Sequence, residues 1–127
     1  MSVSIILILI YVLLNTIANI FLKLGMKSIG EVDIAFNINI VHTIIRSVFN
    51  PFIFSGIMMM GVGIVVWLIL ISRESLNYAF SLAALVYILV PIASIYFLHE
   101  TITITRWVGI SILFIGVLIV FISDLSI

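Results

Sequence analysis

Four unbroken apolar stretches, at about residues 3–23, 52–71, 78–98 and 107–122, leave this 127-residue chain little choice of fold. Each is close to the about 20 apolar residues that a helix needs to cross a hydrocarbon core about 30 Å thick. Inside that core no water is available to the backbone, so a lone stretch can satisfy its amide and carbonyl groups only by coiling into a helix. The pattern predicts an all-α membrane protein of four transmembrane helices, forming one domain over residues 1–127. Composition agrees, since 65% of the residues are hydrophobic and only 8% are charged, whereas a soluble domain carries about 25% charge. What is left after four spans is too short for a separate soluble catalytic domain. Residues 1–4 lack a basic residue and no small-residue cleavage pattern follows, so the first stretch is expected to be a retained span.

The second and third connections are short, which makes consecutive helices antiparallel neighbours in one bundle. The first connection, about residues 25–50, is too long for a simple hairpin, and its second half is patterned. Ile38, Val41, Ile45 and Val48, with Ile44 and Phe49, recur at helical spacing, while Asn39, His42, Thr43, Arg46 and Ser47 fall largely between them. Such a segment suits an amphipathic helix lying in the membrane interface. It could close the bundle's mouth by packing, or serve as a lid or entrance ramp for a lipid-like substrate. Lys23, Lys27, Arg46 and Arg106 belong to the first and third connections and their flanks, against Arg73 on the other side. Taken literally, the positive-inside rule puts both termini outside, by a margin small enough to permit dual insertion.

Polar residues within the spans carry the functional information. In span one, Tyr11, Asn15, Asn19 and Lys23 follow one another at four-residue intervals and so lie in a slowly drifting stripe on one helix face. An amide turned to hydrocarbon leaves its donors and acceptors unpaired, so the stripe is expected to face other helices or a water-filled cavity. Asn15 and Asn19 could act as interhelical glue or as ligand contacts. Lys23 could snorkel to the headgroups or meet a phosphate or carboxylate.

In span two, Gly56, Gly61, Gly63 and Trp67 surround Met58, Met59 and Met60, a set suited to close packing or to an adaptable apolar wall. In span three, Tyr87, Pro91 and Ser94 share a face, and Pro91 removes a backbone hydrogen bond, predicting a kink that could act as a hinge. Span four opens at Arg106 and Trp107, an interfacial anchor, and its Gly109 and Gly116 lie two turns apart, which suits a close crossing with a second subunit.

What the sequence omits narrows the function further. Glu31, Asp33, Glu74, Glu100 and Asp124 all fall in connections or at span ends, so spans one, two and four hold no internal carboxylate to carry a proton or neutralise a cationic drug. There is no cysteine, His42 and His99 lie in connections, and no phosphate loop, metal-ligand helix or nucleophile triad is recognisable. No catalytic residue, metal or cofactor is expected. With five basic and five acidic residues there is no basic field for nucleic acid.

The stretch from Asn50 to Val120 resembles the drug/metabolite transporter superfamily, in particular its four-span EamA-like and small multidrug resistance-like members. Asn50 and Pro51 entering span two, Trp67 near its end, Ala79 with Phe80, Tyr87, Glu100, and Gly109 with Gly116 and Val117 carry the resemblance, and Asn15 to Lys23 are similar to the polar end of span one. The chain is most similar to the paired subunits that flip aminoarabinose-phospho-undecaprenol across the bacterial inner membrane. Two departures stand out. Ser81 occupies a position where the family commonly has proline, and Asn15 and Asn19 stand where proton-coupled exporters rely on a glutamate.

The resemblance implies a flippase-like or exporter subunit in a bacterial or archaeal cytoplasmic membrane, working by alternating access. Four helices are few to enclose a path, so a homodimer or a heterodimer with a similar small subunit is expected. Lys23 is expected to pair with the phosphate of a lipid-linked sugar, and Asn15, Asn19, Tyr87 and Trp67 to contact the headgroup. Pro91 is expected to hinge, and Gly109 and Gly116 to meet the partner subunit. Export of small amphipathic metabolites or drugs, or a non-transporting role in a larger complex, are the other expectations.

Overall fold

The computed structural model describes residues 2–31 and 38–125. Asp33 lies outside the described residues, as do the side chains of Ile38, Asn39 and Asp124. Among the described residues the chain is helical, with α1 (Ser2–Ile29), α2 (Ile38–Val48), α3 (Pro51–Ile71), α4 (Leu76–Ala83), α5 (Val86–Leu98) and α6 (Ile104–Leu125). The four stretches long and apolar enough to cross a membrane are Val3–Ile29, Pro51–Ile71, Leu76–Leu98 and Ile104–Ser123. The third therefore consists of α4 and α5 together. Helix α1 continues past Lys23, so Lys23, Gly25 and Lys27 are helical residues.

Helix α1 is the hub. It packs along α3 and α5, touches α4 and α2, and leaves α6 to lean on α4 and α5. In lipid no hydrophobic force drives helices together, so contact depends on how closely backbones can approach. Gly25 and Gly56 provide that approach between α1 and α3. A Cβ on Gly25 would stand 2.4 Å from Ile53 Cγ1 and 3.0 Å from the Ile53 nitrogen, and one on Gly56 would meet Leu22 at 2.9 Å and the Ala18 carbonyl at 3.1 Å. Gly61 and Gly63 have open space at the same position. At the end of the bundle that holds the N-terminus, Ile8, Val12, Leu70, Tyr78, Ala79, Leu82 and Val117 draw α1, α3, α4 and α6 into one core. The buried Ser4 hydroxyl donates to the Glu74 carboxylate, which brings a negative charge to the start of α1, a helix with no acid in its own first turn.

The sequence explains where α3 begins. Asn50 caps it, its side-chain oxygen accepting from the Phe52 and Ile53 amides at 3.0 and 3.3 Å, and Pro51 fills the first helical position, where its missing N–H costs nothing. The Asn50 amide also donates to the Ser28 hydroxyl at 2.9 Å, tying α3 back to the last turns of α1. Asn50→Ala should lower stability by about 1 kcal/mol or more, since both the cap and the tie are lost. Unfolding in detergent checks this, and an unchanged midpoint would remove the cap from the account.

In the third span the helix is interrupted at Ala84 and Leu85, ahead of Pro91. The amides of Leu85, Tyr87 and Ile88 each bond to the carbonyl three residues back, so the chain stays helical but tightens locally. Helix α5 runs through Pro91, which has no N–H to offer the Tyr87 carbonyl, and the Pro91 carbonyl accepts from the Ser94 hydroxyl at 2.8 Å. Ser81, at the family's proline position, donates to the Asn77 carbonyl at 2.9 Å and sits within α4.

The helix predicted in the first connection is present as α2. Its Ile40, Thr43 and Ser47 are half-buried toward α1 and α3, whereas Val41, Ile44, Ile45, Val48 and Phe49 are exposed. The helix thus packs by a partly polar stripe and turns its apolar side away from the bundle. Helix α6 does likewise, with Ile112, Ile115, Ile119 and Ile122 all exposed. Outward-facing apolar rows are what lipid, as solvent, selects.

Candidate functional site: a polar cleft beside the first span

The polar stripe of α1 opens into a cleft instead of packing shut. Tyr11, Asn15 and Asn19 form one wall of a space of about 470 Å³ whose other wall is Phe80, Ala83, Ala84, Val86, Tyr87, Val90 and Pro91. Asn19, Val90 and Pro91 also line a neighbouring space of about 370 Å³ that reaches Lys23, Ser94, Glu100 and Arg106. A third, of about 450 Å³, lies between Lys23, Glu100, Lys27 and Glu31. From Tyr11 to Lys23 the stripe covers about 18 Å of helix, roughly half of the bilayer core.

Within the stripe the side chains bond along α1 itself. The Asn19 amide donates to both the carbonyl and the side-chain oxygen of Asn15, each at 2.8 Å, and the Asn15 amide donates to the Tyr11 hydroxyl at 3.4 Å. Neither asparagine reaches another helix through these bonds. A side-chain amide offers two donors and two acceptor lone pairs, so part of the capacity of both remains for a ligand. The local tightening at Ala84 and Leu85 lies where α4 hands over to α5 in the opposite wall, and both Tyr87 and Pro91 follow it. Tyr87 lines the cleft and is two-thirds exposed.

At the mouth, Lys23 Nζ stands 3.9 Å from Glu100 Oε1, with 58% and 46% of their side chains exposed. An ion pair that long and that exposed contributes under about 1 kcal/mol, so the lysine is not locked in place. Arg106 lines the same space. Glu100 reaches the cleft because α5 ends on His99 in the left-handed conformation, φ 55°, which turns the chain sharply, and the Glu100 amide then bonds to the Ser94 carbonyl at 3.4 Å.

Of the residues singled out from the sequence, Asn15, Asn19, Lys23, Tyr87 and Pro91 come together as lining of these two adjoining spaces, the cleft beside α1. Trp67 stands outside the lining and packs on Tyr11 at 5.0 Å and edge-on to Phe80 at 4.9 Å between ring centres, so it buttresses both walls. Met58, Met59 and Met60 lie on α3 away from the cleft. Gly109 and Gly116 are exposed on α6, with nothing within 4 Å of where a Cβ would stand.

Glu100 and Arg106 are the residues sequence reasoning passed over, one as a loop acid and the other as an anchor. A signal existed: spans one and three run in the same direction, so the residues that close them, Lys23 and Glu100, arrive at the same membrane face.

A model of the EamA-like transporter family matches residues 2–122. The chain belongs to that family. It is 30% identical over 74 residues, 58% of its length, to a protein of Aeromonas salmonicida (strain A449) named "Probable 4-amino-4-deoxy-L-arabinose-phosphoundecaprenol flippase subunit ArnE". A protein of the same name from Aeromonas hydrophila subsp. hydrophila is 27% identical over 70 residues, 55% of this chain. These matches span 65% and 61% of the two relatives' own lengths. No solved structure gives a significant match. The EamA-like chain is thus a multi-pass membrane protein of a transporter family.

Proposed function

We propose that this EamA-like chain is a flippase subunit that moves an anionic polyprenyl-phosphate-linked sugar, or a similar lipid-linked intermediate, between the leaflets of a bacterial or archaeal cytoplasmic membrane. The observation that carries the reading is the cleft itself: a polar stripe half a bilayer long, walled by apolar residues and flanked at its mouth by Lys23 and Arg106. A phosphate headgroup meets the cations at the mouth, a sugar bonds to Asn15, Asn19 and Tyr87, and the hydrocarbon tail stays in lipid. Alternating access requires the α4–α5 wall to move, and the tightened segment at Ala84 and Leu85 together with Pro91 is the hinge of that motion. The apolar outer side of α2 rests in the interface at the same mouth, where a lipid-linked headgroup enters. The names of the Aeromonas relatives agree with this cargo class.

The polar cleft is open on one side in a single chain, a costly arrangement if that side met hydrocarbon. A second copy, or a similar small subunit, covers it, with α6 and its exposed Gly109 and Gly116 at the crossing. Gly116→Leu should leave the fold intact, since no other helix among the described residues comes within 4 Å of where its Cβ would stand, yet shift the dimer population toward monomer by roughly tenfold. Single-molecule photobleaching in liposomes reads that shift, and an unchanged population would move the contact off α6.

The function is tested by reconstituting the purified chain, alone and with any neighbouring-gene homologue, in liposomes loaded with a labelled polyprenyl-phosphate sugar. Faster arrival of label in the outer leaflet than in protein-free liposomes supports flipping. Movement only of small amphipathic cations, driven by a proton gradient, would favour an exporter, and movement of neither a scaffold.

A further inference from the structure

The cleft beside α1 is open at the Lys23 end and closed at the other. On α1 its lining stops at Tyr11, which packs against the core around Val12, Leu70 and Ala79, and that core fills the end of the bundle holding the N-terminus. A transporter that opens alternately to its two sides has to part the helices there at some stage. Apolar contacts alone hold such a seam weakly, because lipid tails satisfy the same side chains as well. A polar bond made in one arrangement and broken in the other discriminates between them.

One such bond crosses the closed end. Among the described residues the buried serines and threonines are Ser4, Thr16 and Ser94. Thr16 and Ser94 donate to carbonyls of their own helices, those of Val12 and Pro91. The Ser4 hydroxyl instead donates to the Glu74 carboxylate, 70 residues along the chain, joining the first turn of α1 to the turn between α3 and α4. That turn holds Glu74 in place: its amide bonds to the Leu70 carbonyl at 3.0 Å, and Ser75 beside it caps α4 by accepting from the Tyr78 amide at 3.3 Å. Helix α4 then runs directly to the tightened segment at Ala84 and Leu85, so bending at that segment swings α4 against α1 and loads this bond. Glu74 is only half-buried, so water can take the place of Ser4 when the bond opens.

Resting on the alternating access in the reading above, we propose that the Ser4–Glu74 bond is a latch on the closed end of the transport path. It is made while the cleft opens at Lys23, and its release lets α1 part from α4 so that the cleft opens at the other face. A hydrogen bond to a charged group is worth more than one between neutral groups, enough to move a two-state balance by roughly tenfold, while staying weak enough to break in every cycle. The latch takes no part in recognising the cargo and sets only which face the cleft meets.

The test uses purified full-length chain in lipid nanodiscs, where both faces meet the solution, and a water-soluble thiol reagent. Val12→Cys removes little volume and places the thiol in the core of the closed end, where Val12 is fully buried. Adding Ser4→Ala or Glu74→Ala should speed its modification by roughly tenfold, and the two together should go no further than either alone, since one bond is lost in each case. Separately, Ser4→Cys with Glu74→Cys is bridged by a short bis-methanethiosulfonate that reducing agent removes. In liposomes the bridged chain should move a labelled polyprenyl-phosphate sugar at most about one-tenth as fast as the unbridged one, with recovery on reduction. Unchanged modification of Val12→Cys, additive effects of the two substitutions, or transport by the bridged chain at the unbridged rate each overturn the inference, and the last makes the bond a tie that never opens. Should folded wild type move no cargo, the flippase reading itself fails, and the inference falls with it; that outcome is distinct from intact transport through a bridged chain.

Discussion

Lys23→Glu should reduce transbilayer movement of a polyprenyl-phosphate sugar by about thirtyfold or more, while Lys23→Arg keeps most of it. Loss of a paired charge in a site of this kind costs about 2 kcal/mol or more, and 2 kcal/mol corresponds to roughly thirtyfold. Reversal is harsher than truncation, because it sets a second carboxylate beside Glu100 at the mouth. Arginine keeps the charge and adds a fork suited to phosphate. The fold should not register either change, since Lys23 is more than half exposed and its one ion pair is long. Equal transport by wild type and Lys23→Glu would reduce Lys23 to a headgroup-level anchor, which is the alternative its sequence position also allows.

Gly25→Leu should force α1 and α3 apart. Even the Cβ of alanine would lie 2.4 Å from Ile53 Cγ1, 3.0 Å from the Ile53 backbone nitrogen and 3.1 Å from Asn50 Oδ1, and two of those three atoms form the capped start of α3. The side chain could yield, but the backbone and its cap cannot without parting α1 from α3. Overpacking of this type costs about 1–3 kcal/mol for a small excess and more for a bulky one. Gly25→Ala should therefore lower the unfolding midpoint in detergent, and Gly25→Leu should give little monodisperse protein. Gly61→Ala is the control, having open space for the same group, and should be neutral or slightly stabilising. Should Gly25→Leu purify and melt like wild type, the α1–α3 seam is not as close as described.

These two residues also show what the sequence could and could not convey. Helicity and the number of spans follow from the length of each apolar stretch, because lipid leaves a lone segment no other way to satisfy its backbone. The stripe from Tyr11 to Lys23 was legible for the same kind of reason, since four-residue spacing puts polar groups on one face whatever that face meets. The partner of a face is not encoded locally. Gly25 read as the end of a span, and only the position of Ile53 across the seam shows what it does. The contacts of Trp67 with Tyr11 and Phe80 join three helices and so are equally invisible in any one stretch of sequence. Pro91 gave the sequence its obvious kink, whereas the tightened turns fall at Ala84 and Leu85, where no proline or glycine marks them. Glu100 depends on the left-handed turn at His99, a conformation no residue type there announces.

The central claim is that a lipid-linked headgroup enters the cleft beside α1. The chain has no cysteine, so single cysteines report cleanly. Ala83→Cys and Val90→Cys place a thiol in the apolar walls of the cleft, and Met58→Cys places one on α3 outside it. In liposomes, a short-chain polyprenyl-phosphate sugar should slow modification of the first two by a membrane-permeant thiol reagent and leave Met58→Cys unchanged. Equal modification rates with and without the sugar at Ala83→Cys and Val90→Cys would contradict the claim.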